Sequence, residues 1–139
     1  MKKAVVFLTI IFFANLAGLY FRFDSQTVWF DRSAHFAGGL FTAMFMAAFL
    51  KEYFPGKSKF KNAVVLAGAV MLIGVLWELA EFIASQVLIE PIYNWLRIRT
   101  YFIGDLADTI NDLFMDLSGA ALFSFVFLKN RSSNDVEHR

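Results

Sequence analysis

Six of the twelve acidic residues in this 139-residue chain lie inside two stretches that are otherwise apolar enough to form membrane helices. They are Glu78, Glu81, Asp105, Asp108, Asp112 and Asp116. A carboxylate at membrane depth is costly, so it persists only where it faces a partner, an ion or water. The pattern therefore predicts one shared polar site inside a membrane domain.

The composition supports the same class of protein. Hydrophobic residues make up 58% of the chain, there are eighteen Phe, and the mean hydropathy is +0.55, more than a soluble core of this size requires. The chain has no cysteine, which excludes disulfides and thiolate metal sites. A net charge of +1 points to no nucleic-acid partner, and the apolar composition makes membrane lipids the expected partners. We expect an all-α, polytopic integral membrane protein.

Four apolar segments predict four transmembrane helices, since each is close to the roughly 17 to 25 residues that cross a bilayer. The predicted helices span about 4–21, 31–52, 62–89 and 103–129, within one transmembrane domain at 1–130 and before a short cytoplasmic tail at 131–139. The first segment is interpreted as a retained anchor rather than a signal peptide, because its apolar run is long and no small-residue cleavage site precedes Arg22.

The basic residues predict the orientation. On the side of the termini lie Lys2, Lys3, Lys51, Lys57, Lys59, Lys61, Lys129, Arg131 and Arg139, whereas only Arg22, Arg32, Arg97 and Arg99 lie on the other side. The positive-inside rule then places both termini in the cytoplasm. In this topology the acidic residues of separate helices meet in the outer-leaflet half of the membrane.

Helical spacing places the polar residues on shared faces. The four Asp of the last segment are separated by three, four and four residues, and Asn111 can join their stripe. Glu78 and Glu81 share a face, as do Asp31 and His35. Glycines beside the charged residues predict close helix approach. These features predict a compact four-helix bundle.

Three phrases carry a resemblance to a known family. They are Asp31-Arg32-x-x-His35-Phe36-x-x-Gly39, Trp77-Glu78-x-x-Glu81 and Asp108-Thr109-x-x-Asp112, the last followed by Gly119-Ala120. The chain resembles the YjdF-type inner-membrane proteins, relatives of the VanZ-like group, over about residues 31–120. The resemblance implies a small multi-pass protein of the prokaryotic inner or plasma membrane. It also implies a polar cluster of Asp31, His35, Glu78, Glu81, Asp108 and Asp112. VanZ-like proteins are linked to reduced sensitivity to the glycopeptide teicoplanin.

The carboxylates and the histidine predict a divalent-cation site. The predicted ligands are His35, Glu78, Glu81, Asp105, Asp108 and Asp112. Mg²⁺ or Ca²⁺ would take carboxylate oxygens, whereas Zn²⁺ would favour His35 with two carboxylates. If the ion is catalytic, His35, Glu78 and Asp108 are the candidate catalytic residues, and the ion would polarise a phosphoryl group or activate water on a lipid-linked substrate.

Four further residues are candidates for substrate binding. Arg97 and Arg99 could pair with a lipid phosphate or simply anchor their loop at the head groups. Asp31 and Arg32 could hold substrate, or Arg32 could form a helix-end pair with Asp31 or Asp105. Asp105 could instead cap the last helix.

The sequence leaves open whether the protein is an enzyme. The alternative is a non-enzymatic membrane protein in which neutral carboxyl groups, with Asn111 and Asp116 among the intramembrane polar residues, hydrogen-bond the helices together. A proton-coupled or ion-coupled carrier, a lipid-binding or glycopeptide-binding protein, and a partner subunit all belong to this class. Homo-oligomerisation is also left open.

Overall fold

The computed structural model describes the backbone of residues 1–21, 28–53 and 58–137, and the side chains within 1–21, 29–53 and 58–127. This part of the chain is all-helical. Its five helices are α1 (Lys2–Phe21), α2 (Val28–Phe49), α3 (Lys59–Val87), α4 (Ile89–Leu96) and α5 (Leu106–Glu137). Arg22, Lys57 and Arg139, which contribute to the predicted orientation, lie outside the described residues.

Local chemistry fixes the ends of α3 and α4. Ser58 caps α3, because its side chain accepts a hydrogen bond from the backbone N–H of Lys61. Pro91 has no N–H to offer the carbonyl of Val87, so the helix ladder of α3 ends there and α4 begins with proline in its first turn. Arg97 closes α4 in the left-handed conformation, with φ of 57°.

Three helices are long and apolar enough to cross a membrane: α1, α3 and the part of α5 from Leu106 to Phe127. Their outward faces carry many exposed large hydrophobic side chains, as lipid-facing helices do. The second helix, α2, does not reach the same apolarity, because Asp31, Arg32 and His35 occupy its first turns. The fourth span, and the cytoplasmic position of both termini, remain predictions.

The core is built where α2 and α5 cross. A Cβ added to Gly39 would overlap the backbone of Asp116, and one added to Gly119 would overlap the carbonyl oxygen of Phe36. The two backbones are therefore in direct contact, which only glycine permits. Along the wider interface, His35 lies beside Asp116, Ala43 packs with Ala120, and the cluster that contains Ala47 packs against Phe123 and Phe127. Later residues of α2 therefore meet later residues of α5, so the two helices run in the same direction.

The third helix packs antiparallel to this pair. Leu66 lies against Ala47, and Val70 lies against Ala43 and Ala120. Leu66 and Val70 are the largest fully buried side chains in the described part of the chain. A core of small residues suits helices that must approach closely without a hydrophobic driving force from water.

The first helix packs mainly on α2. Phe7 stacks on Phe41 with ring centroids 4.3 Å apart. The Cα atoms of α1 stay more than 8 Å from those of α3, and these two helices meet through the rings of Phe12 and Trp77, 6.3 Å apart.

Two elements differ from expectation. The predicted outer loop contains α4, an eight-residue helix. The last helix continues to Glu137 rather than ending near 129, and so includes most of the expected tail. The chain has no glycine or proline after Gly119, so nothing in the sequence breaks the helix before that point.

Candidate functional site

The imidazole of His35 lies at the centre of the site and is buried, with 6% of the residue exposed. Its Nδ1 is 3.4 Å from Oδ2 of Asp116, a long hydrogen bond in which Nδ1–H donates. Its Nε2 is 3.8 Å from Oε1 of Glu78 and 3.9 Å from Oδ1 of Asp31. Carboxylates from α2, α3 and α5 therefore surround one ring.

The helix crossing positions Asp116 on the Nδ1 side of that ring. A Cβ on Gly74 would lie 2.6 Å from Oδ2 of Asp116, and one on Gly38 would lie 3.8 Å from Oδ1. The carboxylate thus occupies a slot bounded by glycines of α2 and α3. A Cβ on Gly74 would clash with the carboxylate, whereas one on Gly38 would make an ordinary contact, so Gly74 is the glycine that leaves room for Asp116.

A cavity of about 620 Å³ lies between α1, α2, α3 and the start of α5. Six carboxylates line it: Asp31, Glu78, Glu81, Asp105, Asp108 and Asp112. None of the described residues that line it is basic. Aromatic and aliphatic side chains complete the wall, among them Phe12, Leu16, Trp77 and Tyr101.

A smaller cavity of about 160 Å³ is lined by the other side of the cluster. His35, Thr42 and Asp116 contribute its polar groups, and Ile11 and Val70 are among its apolar ones. Phe12, Asn15 and Trp77 line both cavities.

Two buried carboxylates in the large cavity have an oxygen without a hydrogen-bond partner. They are Oε1 of Glu78 and Oδ1 of Asp112, on residues that are 7% and 4% exposed. A buried polar atom without a partner is rare and requires an explanation. A bound ion, or a ligand with hydrogen-bond donors, would provide the missing partners.

Two groups of side chains are close enough to hold one metal ion. Asp31, His35 and Asp112 form one group, and His35, Glu78 and Glu81 form the other, each with ligand atoms within 4.8 Å of one another. Both groups use His35. Because Nδ1 is engaged with Asp116, Nε2 is the nitrogen that remains for an ion.

These groups differ from the ligand set predicted from sequence. They include Asp31, which was assigned to substrate binding, and among the described residues they leave out Asp105 and Asp108. Oδ1 of Asp105 instead accepts a hydrogen bond from the backbone N–H of Asp108 at 3.0 Å, as a helix cap does. Both residues still line the large cavity, seven and four residues before Asp112.

The arginines lie apart from the carboxylates. Arg97 and Arg99 are exposed, and each guanidinium carbon lies 5.9 Å from the centre of the Tyr93 ring. Arg32 is partly buried, with Nε lacking a hydrogen-bond partner. The ion pairs within 4.0 Å in the described part of the chain all involve His35, so the expected pair of Arg32 with Asp31 or Asp105 does not form there.

Asn111 shares α5 with the acidic stripe but does not line either cavity, and its Nδ2 is buried without a partner. Sequence reasoning did not select Asn15 or Thr42 for the site. Asn15 is the single amide inside the apolar run of α1, and a lone polar residue in an apolar helix could have indicated that it belongs to the site. Thr42 carries no comparable signal.

Comparison with known proteins assigns the family. A family model described as "Predicted membrane protein (DUF2238)" matches residues 2–133. An uncharacterized protein of Thermotoga maritima is 28% identical over 129 residues, a match covering 88% of this chain and 59% of that protein. No solved structure matches significantly. YjdF-type proteins fall within the matched family, which confirms that part of the resemblance but not the link to VanZ-like proteins. The chain therefore belongs to the DUF2238 family of predicted membrane proteins.

Proposed function

We propose that this chain is a multi-pass protein of the prokaryotic inner or plasma membrane whose His35 cluster binds a divalent cation. The site would bind or act on a lipid-linked or phosphate-bearing substrate of the cell envelope. The observation that carries the proposal is a buried imidazole within 4 Å of carboxylates from three helices. The positive-inside orientation would place it in the outer-leaflet half.

The chemistry of the ligands supports a cation. His35 with Glu78 and Glu81 offers one nitrogen and two carboxylates, which are ligand types that zinc accepts and equal in number to the three protein ligands of an open catalytic site. His35 with Asp31 and Asp112 offers a similar set, and extra carboxylate oxygens would suit Mg²⁺ or Ca²⁺. Since both sets share His35, one ion would occupy one set at a time.

The charge of the cavity also supports a bound cation. Six carboxylates line a cavity that has no basic side chain among its described lining residues. Several negative charges at membrane depth repel one another and lose hydration, so ionised carboxylates would need a cation to remain there. A divalent ion would offset two of these charges and provide a partner for Glu78 in one ligand set or for Asp112 in the other.

The bound ion would also determine how an anionic substrate is held. A phosphate group could not contact the acidic wall directly, because both are negatively charged, so the phosphate would coordinate the ion. The ion could then polarise the phosphate or activate a water molecule. Arg97 and Arg99, exposed on α4 and in the segment that follows, would remain available for the phosphate of a neighbouring lipid. The VanZ-like resemblance favours a cell-envelope substrate.

The non-enzymatic alternative has one observation in its favour. The hydrogen bond between His35 and Asp116 joins α2 to α5 without an ion. Neutral carboxyl groups could extend such bonding among the helices, and the protein would then serve as a carrier, a lipid-binding or glycopeptide-binding protein, or a partner subunit.

Titration of the purified protein with Zn²⁺, Mg²⁺ and Ca²⁺ tests the proposal. We expect saturable binding of one of these ions, weakened by about a hundredfold or more in His35→Ala, because each good ligand contributes several kcal/mol. Asp108→Asn should weaken binding by less than about tenfold, since Asp108 is outside both ligand groups. Glu52→Gln, at an exposed site, is the control. Saturable binding that His35→Ala leaves unchanged would contradict the proposal.

A further inference from the structure

The large cavity has two chemically different walls. Its acidic wall comes from α2, α3 and α5, and its apolar wall includes Phe12, Leu16 and Leu19 of α1. An ion alone needs only the acidic wall. The apolar wall points to a second component of the ligand that is hydrocarbon.

The gap between α1 and α3 gives that hydrocarbon a route to the membrane. The Cα atoms of these helices stay more than 8 Å apart, so no close backbone packing closes this side. Phe12 and Trp77 meet across the gap edge to face, and both rings line the cavity. Phe12 and Leu16 are 45% and 46% exposed, so the apolar wall continues onto the lipid-facing surface of α1.

The acidic wall indicates the charge of the ligand's head group. Glu78 and Asp112 are more than nine-tenths buried, line the cavity, and each has an oxygen without a partner. Carboxylates accept hydrogen bonds and donate none when ionised. A head group that contacts them directly must therefore donate, and a cation does so most strongly. Trp77 and Tyr101 add aromatic rings that attract cations.

The volume is large enough for such a head group. Ligand sites in proteins commonly measure roughly 300 to 1,000 Å³, and this cavity measures about 620 Å³. A bare divalent ion would leave most of that space to water, next to Phe12 and Leu16.

We propose that the cavity binds an amphiphile with a primary-amine head group. The ammonium lies among Glu78, Glu81 and Asp112, and the hydrocarbon chain leaves between α1 and α3 past Phe12 and Trp77. The proposal shares the acidic cavity with the proposed cation site but needs no metal ion, so amine and divalent cation compete.

The chain supplies a built-in reporter of this binding. Of its three tryptophans, Trp29 and Trp95 are 72% and 89% exposed, while Trp77 lines the cavity. In the Trp29→Phe, Trp95→Phe variant, Trp77 is the remaining tryptophan. Its fluorescence is measured in phosphatidylcholine nanodiscs with chelator, during titration with brominated hexadecylamine or with brominated hexadecyl phosphate of the same chain length.

We expect saturable quenching by the amine, with an affinity at least about tenfold above that for the phosphate. Adding Glu81→Gln and Asp112→Asn to the reporter variant should lower the affinity for the amine by at least about tenfold. Glu90→Gln, at an exposed site on α4, should leave that affinity unchanged. If the double variant does not fold, Leu16→Phe, which keeps Trp77 as the single tryptophan of the reporter variant, tests the apolar wall instead. It should weaken hexadecylamine and leave butylamine, which has too short a chain to reach the gap, unaffected.

The outcomes separate this proposal from the cation site. Equal quenching by amine and phosphate overturns the amine proposal. So does amine quenching that is unchanged both by Glu81→Gln with Asp112→Asn and by Leu16→Phe. Metal binding without amine binding overturns it as well and leaves the cation site standing. Amine binding without metal binding supports it and removes the cation site.

Discussion

At the residue scale, the two nitrogens of His35 face different partners. Nδ1 faces Asp116, and Nε2 faces Asp31 and Glu78. Metal-ligating histidines usually donate the other ring N–H to a carboxylate, which fixes the tautomer and orients the ring. Asp116 therefore has the geometry of a positioning residue, although its own oxygens are on the side away from the proposed ion.

Asp116→Asn tests that role. An amide that presents its NH₂ to Nδ1 favours the other tautomer, which places the proton on Nε2 and removes its lone pair from the ion. We expect ion affinity to fall by roughly 10–100-fold, with the same ion preference and without loss of the folded protein. Affinity is measured by titration, with Ser118→Ala on the same helix as control. An unchanged affinity would show that Asp116 does not orient the ring.

Much of this residue-level arrangement was predictable. Spacing alone placed Glu78 with Glu81 and Asp31 with His35 on shared faces. Asp31, Glu78 and Glu81 do line the large cavity, whereas His35 lines the smaller one. The sequence offered Asp105 both as a metal ligand and as a helix cap, and the structure shows the cap, in which one oxygen accepts a hydrogen bond from the N–H of Asp108. Spacing could not decide between these roles, nor show that Asp31 is nearer than Asp108 to the ring. Those outcomes depend on rotamers and on the position of the loop before α5.

At the scale of secondary-structure elements, the crossing of α2 and α5 determines where the site forms. Gly39 and Gly119 let the two backbones touch, and the acidic face of α5 then meets the His35 face of α2. Neighbouring backbone atoms cannot move aside as a flexible side chain can. This contact should therefore be the least tolerant point in the fold.

Gly39→Ala should destabilise the protein by about 1 to 3 kcal/mol or more, because the new methyl overlaps the backbone of Asp116. Gly68→Ala on α3 is the matched control, since a Cβ there meets nothing within 4 Å. It should be neutral or stabilising by up to about 1 kcal/mol. Unfolding in mixed detergent, followed by circular dichroism, gives both values. Equal effects would contradict the direct backbone contact.

Hydropathy located the three most apolar helices, but it did not locate α4. Pro91 and the mixed polar and aromatic residues that follow it are typical of a loop, and eight residues are too few for a clear period. Helix α4 exists because Pro91 ends one helix and is tolerated in the first turn of the next. The position of this helix start depends on a single residue, and a hydropathy value averaged over many residues does not show it.

At the scale of the whole molecule, the number of membrane crossings depends on α2. Three helices are apolar enough to cross, and α2 carries charge in its first turns. Packing explains how it could cross as well, since Asp31 lines the large cavity and His35 the smaller one. Ala43 and Ala47 are buried against other helices. Sequence apolarity cannot measure this shielding, because it depends on the neighbouring helices.

The absence of cysteine allows a clean test of topology. In single-cysteine variants at Lys3, Tyr53 and Asn94, a membrane-impermeant maleimide should label Asn94→Cys in intact cells. Lys3→Cys and Tyr53→Cys should react only after permeabilisation, because four crossings place both on the cytoplasmic side. If Tyr53→Cys reacts from outside while Lys3→Cys does not, α2 fails to cross.

X-ray absorption at the zinc edge of the Zn²⁺-loaded protein tests the central claim most directly, since it reports the atoms bound to the ion. With His35 and two carboxylates as ligands, we predict one nitrogen at about 2.0–2.1 Å together with oxygens at about 2.0–2.2 Å. The imidazole signal should disappear in His35→Ala. Protein that takes up no zinc, or an oxygen shell identical in wild type and His35→Ala, would contradict the account.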